Sequence, residues 1–587
     1  MIDLVKYDIG ENLERIMRKY SEHNAVHVQD EIYTYGYLYN QSDAIRKIIN
    51  NITNEPNQLI GVLCYRSFEA YSGIIGTLFS KNAYLPLNPN NPVDKLKKII
   101  NVSECKMIIL GEECADVFSG LVDIKRPLIL ICPKPGEKIK QLQVTNSHHT
   151  FIFPDQTSTS DIDVNKIISG NDPAYMMFTS GSTGDPKGII VSHKNLYSYC
   201  IYSIERYQFN GNDRVSQMFD ITFDLSVHDI VTTLLSGACL YVLPKNYIMS
   251  PGPFIRKHEL TIWFSVPSIA MFMGRMKVLQ KNSLPSLRYS LFCGEGLPCH
   301  TAAQWKSAAP NTIVDNLYGP TEATIAFMDY RWHSDLSDEQ CINGLVPIGT
   351  PFTGIHVKLI KEGQEVDFGE IGELCVHGDQ VVSGYYKNDQ LTKEKFISLP
   401  DNHDKIWYRT GDLAKNIDSH NYAFLGRVDD QLQVRGNRVE MQEIDKVIRD
   451  AAMNQMAISI AILSEDNENI AEDIVAFIEG DNENKSENEI LDYCSSVLPD
   501  YMVPSKIYFI DSMPMNQNGK IDKKELYSKL SDIDNSISVD NQDDAICCRE
   551  CLKGLEEDAD LNGVGLIRIV SHDGKDDYIC HVCLKGF

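Results

Sequence analysis

The stretch TSGSTGDPKG (179–188) gathers four hydroxyls, three glycines and a lysine in ten residues. Glycines let a backbone fold around an anion and turn its N–H groups inward. The hydroxyls of Thr179, Ser180, Ser182 and Thr183 add donors, Gly181 and Gly184 give the chain its freedom, and Lys187 adds a positive charge. The pattern is not a Walker A loop, which needs lysine followed by serine or threonine. Here Lys187 stands between Pro186 and Gly188. Alone, the stretch reads as a loop that grips phosphate. A second chemistry is written at the C-terminal end, where Cys548/Cys551 and Cys580/Cys583 form two C-x2-C knuckles with 28 residues between them. Two such knuckles suit tetrahedral Zn²⁺ held by four thiolates, with Cys547 and His581 as spare ligands. A hairpin turning near Asp573–Gly574 would bring them together, and so short a segment has too little core to fold without a staple.

These residues need elements to hold them. The apolar run YMMF (175–178) feeds the glycine loop and GIIV (188–191) leaves it, as two strands would. Short continuous apolar runs recur through the first 425 residues or so, among them LIGVLCY (59–65), LILIC (128–132) and IWFSVP (262–267). Such runs fit strands covered on both faces, with helices between them, in a large α/β region. Near residue 427 the texture changes to strand-turn-strand and helix, predicting a small α+β domain. The divisions expected are a large domain over 1–428, a small one over 429–530, an acidic linker over 531–545 and a cysteine-rich, zinc-ribbon-like tail over 546–587. The composition, 43% hydrophobic and 23% charged, is that of a globular protein, and a formal charge of −26 argues against nucleic acid or an anionic membrane as partner. No apolar run reaches the ~18 residues of a membrane span, and the N-terminus lacks a signal-peptide pattern. The expectation is a cytoplasmic protein whose sixteen cysteines are reduced thiols and build no disulfide framework.

Four further motifs follow the glycine loop in order: DNLYGPTEATI (315–325), YRTGDLA (408–414), LGRVDDQLQVRGNRVE (425–440) and NQNGKIDKKEL (516–526). With them the chain, over about residues 10–530, resembles the adenylate-forming enzymes: acyl-CoA synthetases, luciferases and the amino-acid-activating domains of nonribosomal peptide synthesis. The resemblance implies ATP and Mg²⁺ as cofactors and a loop that holds the β- and γ-phosphates while a carboxylate attacks the α-phosphate. It assigns Glu322 to Mg²⁺ and Thr321 to the α-phosphate. Asn316, Tyr318 and Gly319, with Gly294 and Glu295, fall on the nucleotide side, Asp412 on the ribose hydroxyls and Arg427 on ribose or phosphate. Lys520 becomes the catalytic lysine that stabilises charge between carboxylate and phosphate, carried on a small domain that rotates about a hinge at Asp429. Gln433 departs from the family, which commonly has lysine there, and puts in doubt some assistance to one half-reaction.

FDITFDLSVHD (219–229) carries the substrate class. In the amino-acid-activating branch the aspartate matching Asp224 grips the substrate ammonium, and a buried carboxylate without a cation is costly. The likeness is to free-standing D-alanine:carrier-protein ligases and peptide-synthetase adenylation domains. It implies a side-chain pocket of Leu225, His228, Ser265, Leu291, Cys293, Leu317, Ile325 and Ala326. That set suits alanine, serine, cysteine, glycine or proline, with His228 tilting toward serine or cysteine. The implied acceptor is the phosphopantetheine thiol of a carrier protein acting in trans, since no carrier-like serine site follows residue 530. The alternatives are a CoA ligase for a small organic acid and a degenerate fold that recruits partners through its tail. Oligomeric state is open at this level.

Overall fold

A computed structural model describes residues 5–53, 55–154, 167–179, 186–334, 340–399, 402–428, 431–434, 437–454, 456–464, 467–480, 485–515, 521, 523, 525–530, 567–570 and 576–579. Within them the continuous apolar runs become parallel strands, as their two-sided burial requires. Leu59–Leu63 lies between Ala83–Leu87 and Met107–Leu110 in a seven-stranded sheet. That sheet ends in an antiparallel pair, Pro173–Thr179 with Lys187–Ser192, in which Thr179 faces Lys187. Thr179 and Lys187, the residues of the glycine-rich stretch that bracket 180–186, thus sit on paired strands at the edge of the sheet. Ser192 and Asn195 cap each other to start the helix His193–Tyr207, which leaves this hairpin.

A nine-stranded sheet lies against the first. Its centre runs Ile313–Tyr318, Tyr289–Phe292, Ile262–Ser265, Arg214–Gln217 and Cys239–Val242, all parallel. Tyr84 and Tyr175 from one sheet and Val215 and Phe264 from the other share one apolar core. Towards one edge, which Thr350–Pro351 forms, Met328–Arg331 pairs antiparallel with Ile313–Tyr318, and these two strands are joined through Gly319. A Cβ on Gly319 would sit 2.5 Å from the Ala326 Cα, so glycine is needed for this close approach. An antiparallel sheet follows, in which Asn402–Asn416 pairs with Tyr422–Arg427 and sets Asp412 opposite Arg427.

Beyond it, Gln431–Val434, Asn437–Glu440, Ala457–Ser464, Asn467–Glu479 and Lys506–Ile510 form a five-stranded sheet. The helices Met441–Ala452 and Glu487–Val497 cover it, around a separate core that includes Val434, Ile444 and Ile474. The large α/β and small α+β parts thus follow the pattern read from the sequence. Arg275 pairs with Glu472 at 2.7 Å between them.

The cysteines depart from the expectation of reduced thiols at one place. Cys299 and Cys341 are bonded, with Cα atoms 6.7 Å apart and a separation of 42 positions in sequence. Tertiary pairing of residues 297–299 with 344–346 brings them together, and spacing alone does not display such a contact. In the tail, Ile567–Val570 pairs antiparallel with Asp576–Ile579 as the expected hairpin. The four knuckle cysteines and the linker 531–545 lie outside the described residues. Among the described residues no cluster of three or more His, Cys, Asp or Glu is placed to hold a metal, and no helix is long and apolar enough to cross a membrane.

Candidate active site

A cavity of about 310 Å³ opens where the two large sheets, the antiparallel sheet and the small domain meet. Thr179, Asp224, Leu225, Gly294, Glu295, Asn316, Leu317, Tyr318, Gly319, Thr321, Asp412 and Arg427 all line it. Sequence positions more than two hundred residues apart are gathered because strand ends of both sheets converge there, the usual ligand position in open α/β sheets.

At one corner of the cavity, Asp412 accepts hydrogen bonds from the Tyr318 hydroxyl and the Arg427 guanidinium. Thr410 fixes the backbone here, its hydroxyl oxygen accepting from the Asp412 amide at 3.0 Å. Asn316, 2% exposed, donates Nδ2 to the carbonyl of Pro347 at 2.9 Å. Its Oδ1 is buried and has no hydrogen-bond partner among the described residues. A buried amide oxygen left in this way is suited to an incoming N–H donor. Phe424, Val346 and Ile348 give the same corner its apolar walls. Glu295 accepts from the Ser268 amide at 2.9 Å, which fixes the wall beside Gly294.

Glu322 is 1% exposed. Tyr385 donates its hydroxyl to one carboxylate oxygen at 2.7 Å and Arg438 a guanidinium N–H to the other at 2.8 Å. Burial alone would raise the carboxyl, but Arg438 and Tyr385 outweigh it and hold the group below its ordinary value, ionised. Lys187 Nζ, at the base of the phosphate loop, pairs with Glu440 at 2.8 Å. Arg438 and Glu440 sit two residues apart on one strand, so their side chains share a face. The small domain thus places a cation on the large domain's Glu322 and an anion on its Lys187.

Asp224 stands beside Thr321, whose hydroxyl hydrogen-bonds it. Burial, reinforced by the nearby Glu322 charge, pushes its carboxyl up to about 6. An anion so placed would be stabilised by a cation delivered through the cavity. Leu225 lines the cavity next to Asp224, and its Cδ1 lies close to Gly294.

Leu317 of the expected side-chain pocket also lines the cavity, and the rest does not. His228, Ser265, Leu291, Cys293, Ile325 and Ala326 are all buried and none lines the cavity. His228 makes a 2.8 Å hydrogen bond through Nδ1 with the Tyr199 hydroxyl, and burial among Phe209 and Phe264 pushes its pKa down to about 3. The Ser265 hydroxyl is used by the Trp263 indole N–H at 2.9 Å and the Val266 carbonyl at 3.1 Å. Burial raises the Cys293 thiol far above its ordinary value, so it is no nucleophile. Ser180, Gly181, Ser182, Thr183, Gly184, Asp429, Lys520, Cys548, Cys551, Cys580 and Cys583 lie outside the described residues.

Sequence reasoning missed Tyr385, Gln380, Arg438 and Glu440. Gln380 donates Nε2 to the Ala326 carbonyl at 2.7 Å, and its backbone carbonyl accepts from the Thr324 hydroxyl at 2.6 Å, clamping the loop after Glu322. That loop holds Thr324 and Ile325 at positive φ, 59° and 72°, which is strained for β-branched residues. Arg438 and Glu440 do lie within LGRVDDQLQVRGNRVE, but nothing in its spacing says which large-domain groups they meet.

The chain matches the AMP-binding enzymes over residues 13–386 and their C-terminal domain over 457–520. It is 30% identical over 519 residues to a mycosubtilin synthase polypeptide of Bacillus subtilis, covering 86% of this chain and 18% of that protein. It therefore spans under a fifth of that large relative. It is also 30% identical over 512 residues to zwittermicin A synthase ZmaJ of Bacillus cereus, covering 86% of this chain and 91% of that one. Among solved structures, the Vibrio cholerae adenylation domain AlmE, in complex with glycyl-adenosine-5'-phosphate, superposes with a TM-score of 0.80 at 30% identity, covering 91% of this chain and 99% of AlmE. The o-succinylbenzoate CoA synthetase of Bacillus subtilis, at 17% identity and a TM-score of 0.71, shares the fold. With five motifs in order and the family match over most of its length, the chain belongs to the AMP-binding, adenylate-forming enzymes and is related to the adenylation domains of nonribosomal peptide synthesis.

Proposed function

We propose that this protein activates a small amino acid with ATP, forming the aminoacyl-adenylate and releasing pyrophosphate. It then passes the aminoacyl group to the phosphopantetheine thiol of a separate carrier protein. The observation that carries this reading is Asp224, a carboxylate set in the same cavity as Asn316, Thr321 and Asp412. An organic acid brings no ammonium to offset that charge, which weighs against a CoA ligase. Leu225 and Gly294 line the cavity with Asp224, and the bound glycyl-adenylate of the related AlmE supports a small side chain there. Glycine and alanine are favoured among the small amino acids by the likeness to AlmE and its glycyl-adenosine-5'-phosphate, with serine, cysteine and proline the further candidates.

In this reading Asp412 accepts the ribose hydroxyls, Arg427 reaches ribose or phosphate, and Asn316 Oδ1 accepts the adenine amino group. Lys187 and the glycine loop take the outer phosphates, and Lys520 stabilises the charge that forms at the α-phosphate. Glu322, an ionised hard oxygen donor, would hold Mg²⁺, which supplies charge neutralisation when bound. Arg438 must then leave Glu322, and Glu440 must leave Lys187. The small domain, taken as 429–530 with its hinge at Asp429, makes that exchange. The test is amino-acid-dependent ATP–pyrophosphate exchange over L- and D-amino acids. Glycine or alanine should support it, and Asp224→Asn should raise the amino-acid KM on the order of 100-fold, the cost of losing a desolvated charge pair. Exchange with an organic acid and with no amino acid would sink the proposal.

The tail reading is that Cys548, Cys551, Cys580 and Cys583 hold Zn²⁺, supported by the hairpin between the two knuckles. One equivalent of zinc in the purified chain, released by mutating any two of the four, is the expected result.

A further inference from the structure

Eleven of the sixteen cysteines lie in described parts of the chain, and nine of these are buried free thiols. Burial raises the thiol pKa of each of the nine, so they are protonated and shielded. Cys299 and Cys341 differ from all of them. Both are partly exposed, and their Cα atoms lie 6.7 Å apart, within bonding range.

Their position matters more than their pairing. Cys299 opens the helix Cys299–Ala308, directly after Gly294, Glu295 and Gly296, which form one wall of the cavity. Cys341 precedes the segment that carries Val346 and Ile348, which form another. Between the two walls run backbone hydrogen bonds: Cys299 N–H to the Gly344 carbonyl at 2.9 Å and Val346 N–H to the Leu297 carbonyl at 2.8 Å. The carbonyl of Pro347 in turn fixes Asn316, whose Oδ1 faces no partner among the described residues. A covalent link at Cys299–Cys341 thus closes the open end of a short ladder whose other end is the adenine corner. Reduced, that ladder keeps its hydrogen bonds but its outer end is held by no covalent tie.

We propose that Cys299 and Cys341 form a reversible redox site that tunes nucleotide affinity by fixing the 341–348 segment against residues 297–299. The inference rests on the reading of the cavity as an ATP site. The chemistry is thiol–disulfide exchange with a low-molecular-weight disulfide. One protein thiolate attacks a sulfur of that disulfide and expels a small thiolate. The second protein thiolate then displaces the other half, closing the S–S bond. Two protein thiols are oxidised, the small disulfide is reduced to two thiols, and the two protein protons go to the leaving thiolates. Oxidation favours the ordered wall, since the link removes freedom from the segment before nucleotide arrives.

The full chain would be equilibrated in oxidised or reduced glutathione, mapped by differential alkylation and peptide mass, and titrated with ATP and Mg²⁺ by calorimetry without any amino acid. The expected result is a Cys299–Cys341 peptide in the oxidised sample and ATP binding roughly three- to tenfold tighter than in the reduced one. The Cys299→Ser and Cys341→Ser variants, each tested so that poor folding of one does not decide the matter, should bind ATP like the reduced protein in both buffers. That outcome also excludes the tail cysteines as the source of the effect. A mapped disulfide with equal ATP affinity in both buffers, or no disulfide at all, overturns this inference and leaves the ATP reading intact. No ATP binding in either buffer overturns both.

Discussion

Asp224 and Glu322 are two neighbouring carboxylates whose surroundings push them in opposite directions. Burial raises Asp224 to about 6, while Arg438 and Tyr385 keep Glu322 ionised. The pH response of the two roles therefore separates. Below pH 6 Asp224 gains a proton and loses the charge that an ammonium would meet; above it the charge is complete. The amino-acid KM should rise as pH falls through about 6, approaching tenfold per unit well below it. Asp224→Asn should flatten that profile, and initial-rate measurement of exchange from pH 5 to 8 reads it. A KM that rises toward alkaline pH instead would mean that another group governs binding. Asp224 was legible as a chemical group because its neighbours repeat a motif. Its raised value was not, since burial is a property of the folded cavity and not of FDLS.

At the scale of elements, the hairpin joining Ile313–Tyr318 to Met328–Arg331 decides where Thr321 and Glu322 stand. Gly319 lets the hairpin close on Ala326, and Gln380 clamps the strained turn at Thr324 and Ile325. Gly319→Ala meets backbone, with Phe327 N a second contact at 3.0 Å, and no flexible side chain is there to give way. The expected cost is about 1–3 kcal/mol in thermal unfolding, as for an overpacked core. Exchange activity should fall further than that loss of stability accounts for, because Glu322 moves with the hairpin. An unchanged melting temperature with full activity would show that the strands shift freely. The glycine is plain in YGPTE, but its need comes from Ala326, seven residues away across a turn.

For the whole molecule, the closed cleft is held in part by charge. Arg438 on Glu322 and Glu440 on Lys187 take the places where metal and phosphate would act. Both pairs are largely shielded from solvent, so breaking one leaves a partner poorly hydrated. The double variant Arg438→Gln, Glu440→Gln should release the small domain in the nucleotide-free protein. Spin labels on the two domains would read this as a longer and broader distance distribution. Identical distributions would assign closure to apolar contact instead. Arg438 and Glu440 belong to a motif whose presence was read from the chain, yet only the packed cleft shows that they neutralise Glu322 and Lys187 in turn.

The order of motifs along the chain identified the family, because phosphate, metal and ribose chemistry each demand particular residue types in local patterns. Local patterns also disclosed the α/β strands, since burial on both faces leaves a continuous apolar run, and the terminal hairpin, since a turn needs only its neighbours. Tertiary structure alone decided which side chains reach the cavity. The resemblance assigns His228, Ser265 and Cys293 to the side-chain pocket, yet all three are buried and none lines the cavity. It alone paired Cys299 with Cys341, and Asp412 with Tyr318. Contacts between distant strands depend on how sheets twist and pack, and a linear pattern carries no record of that geometry.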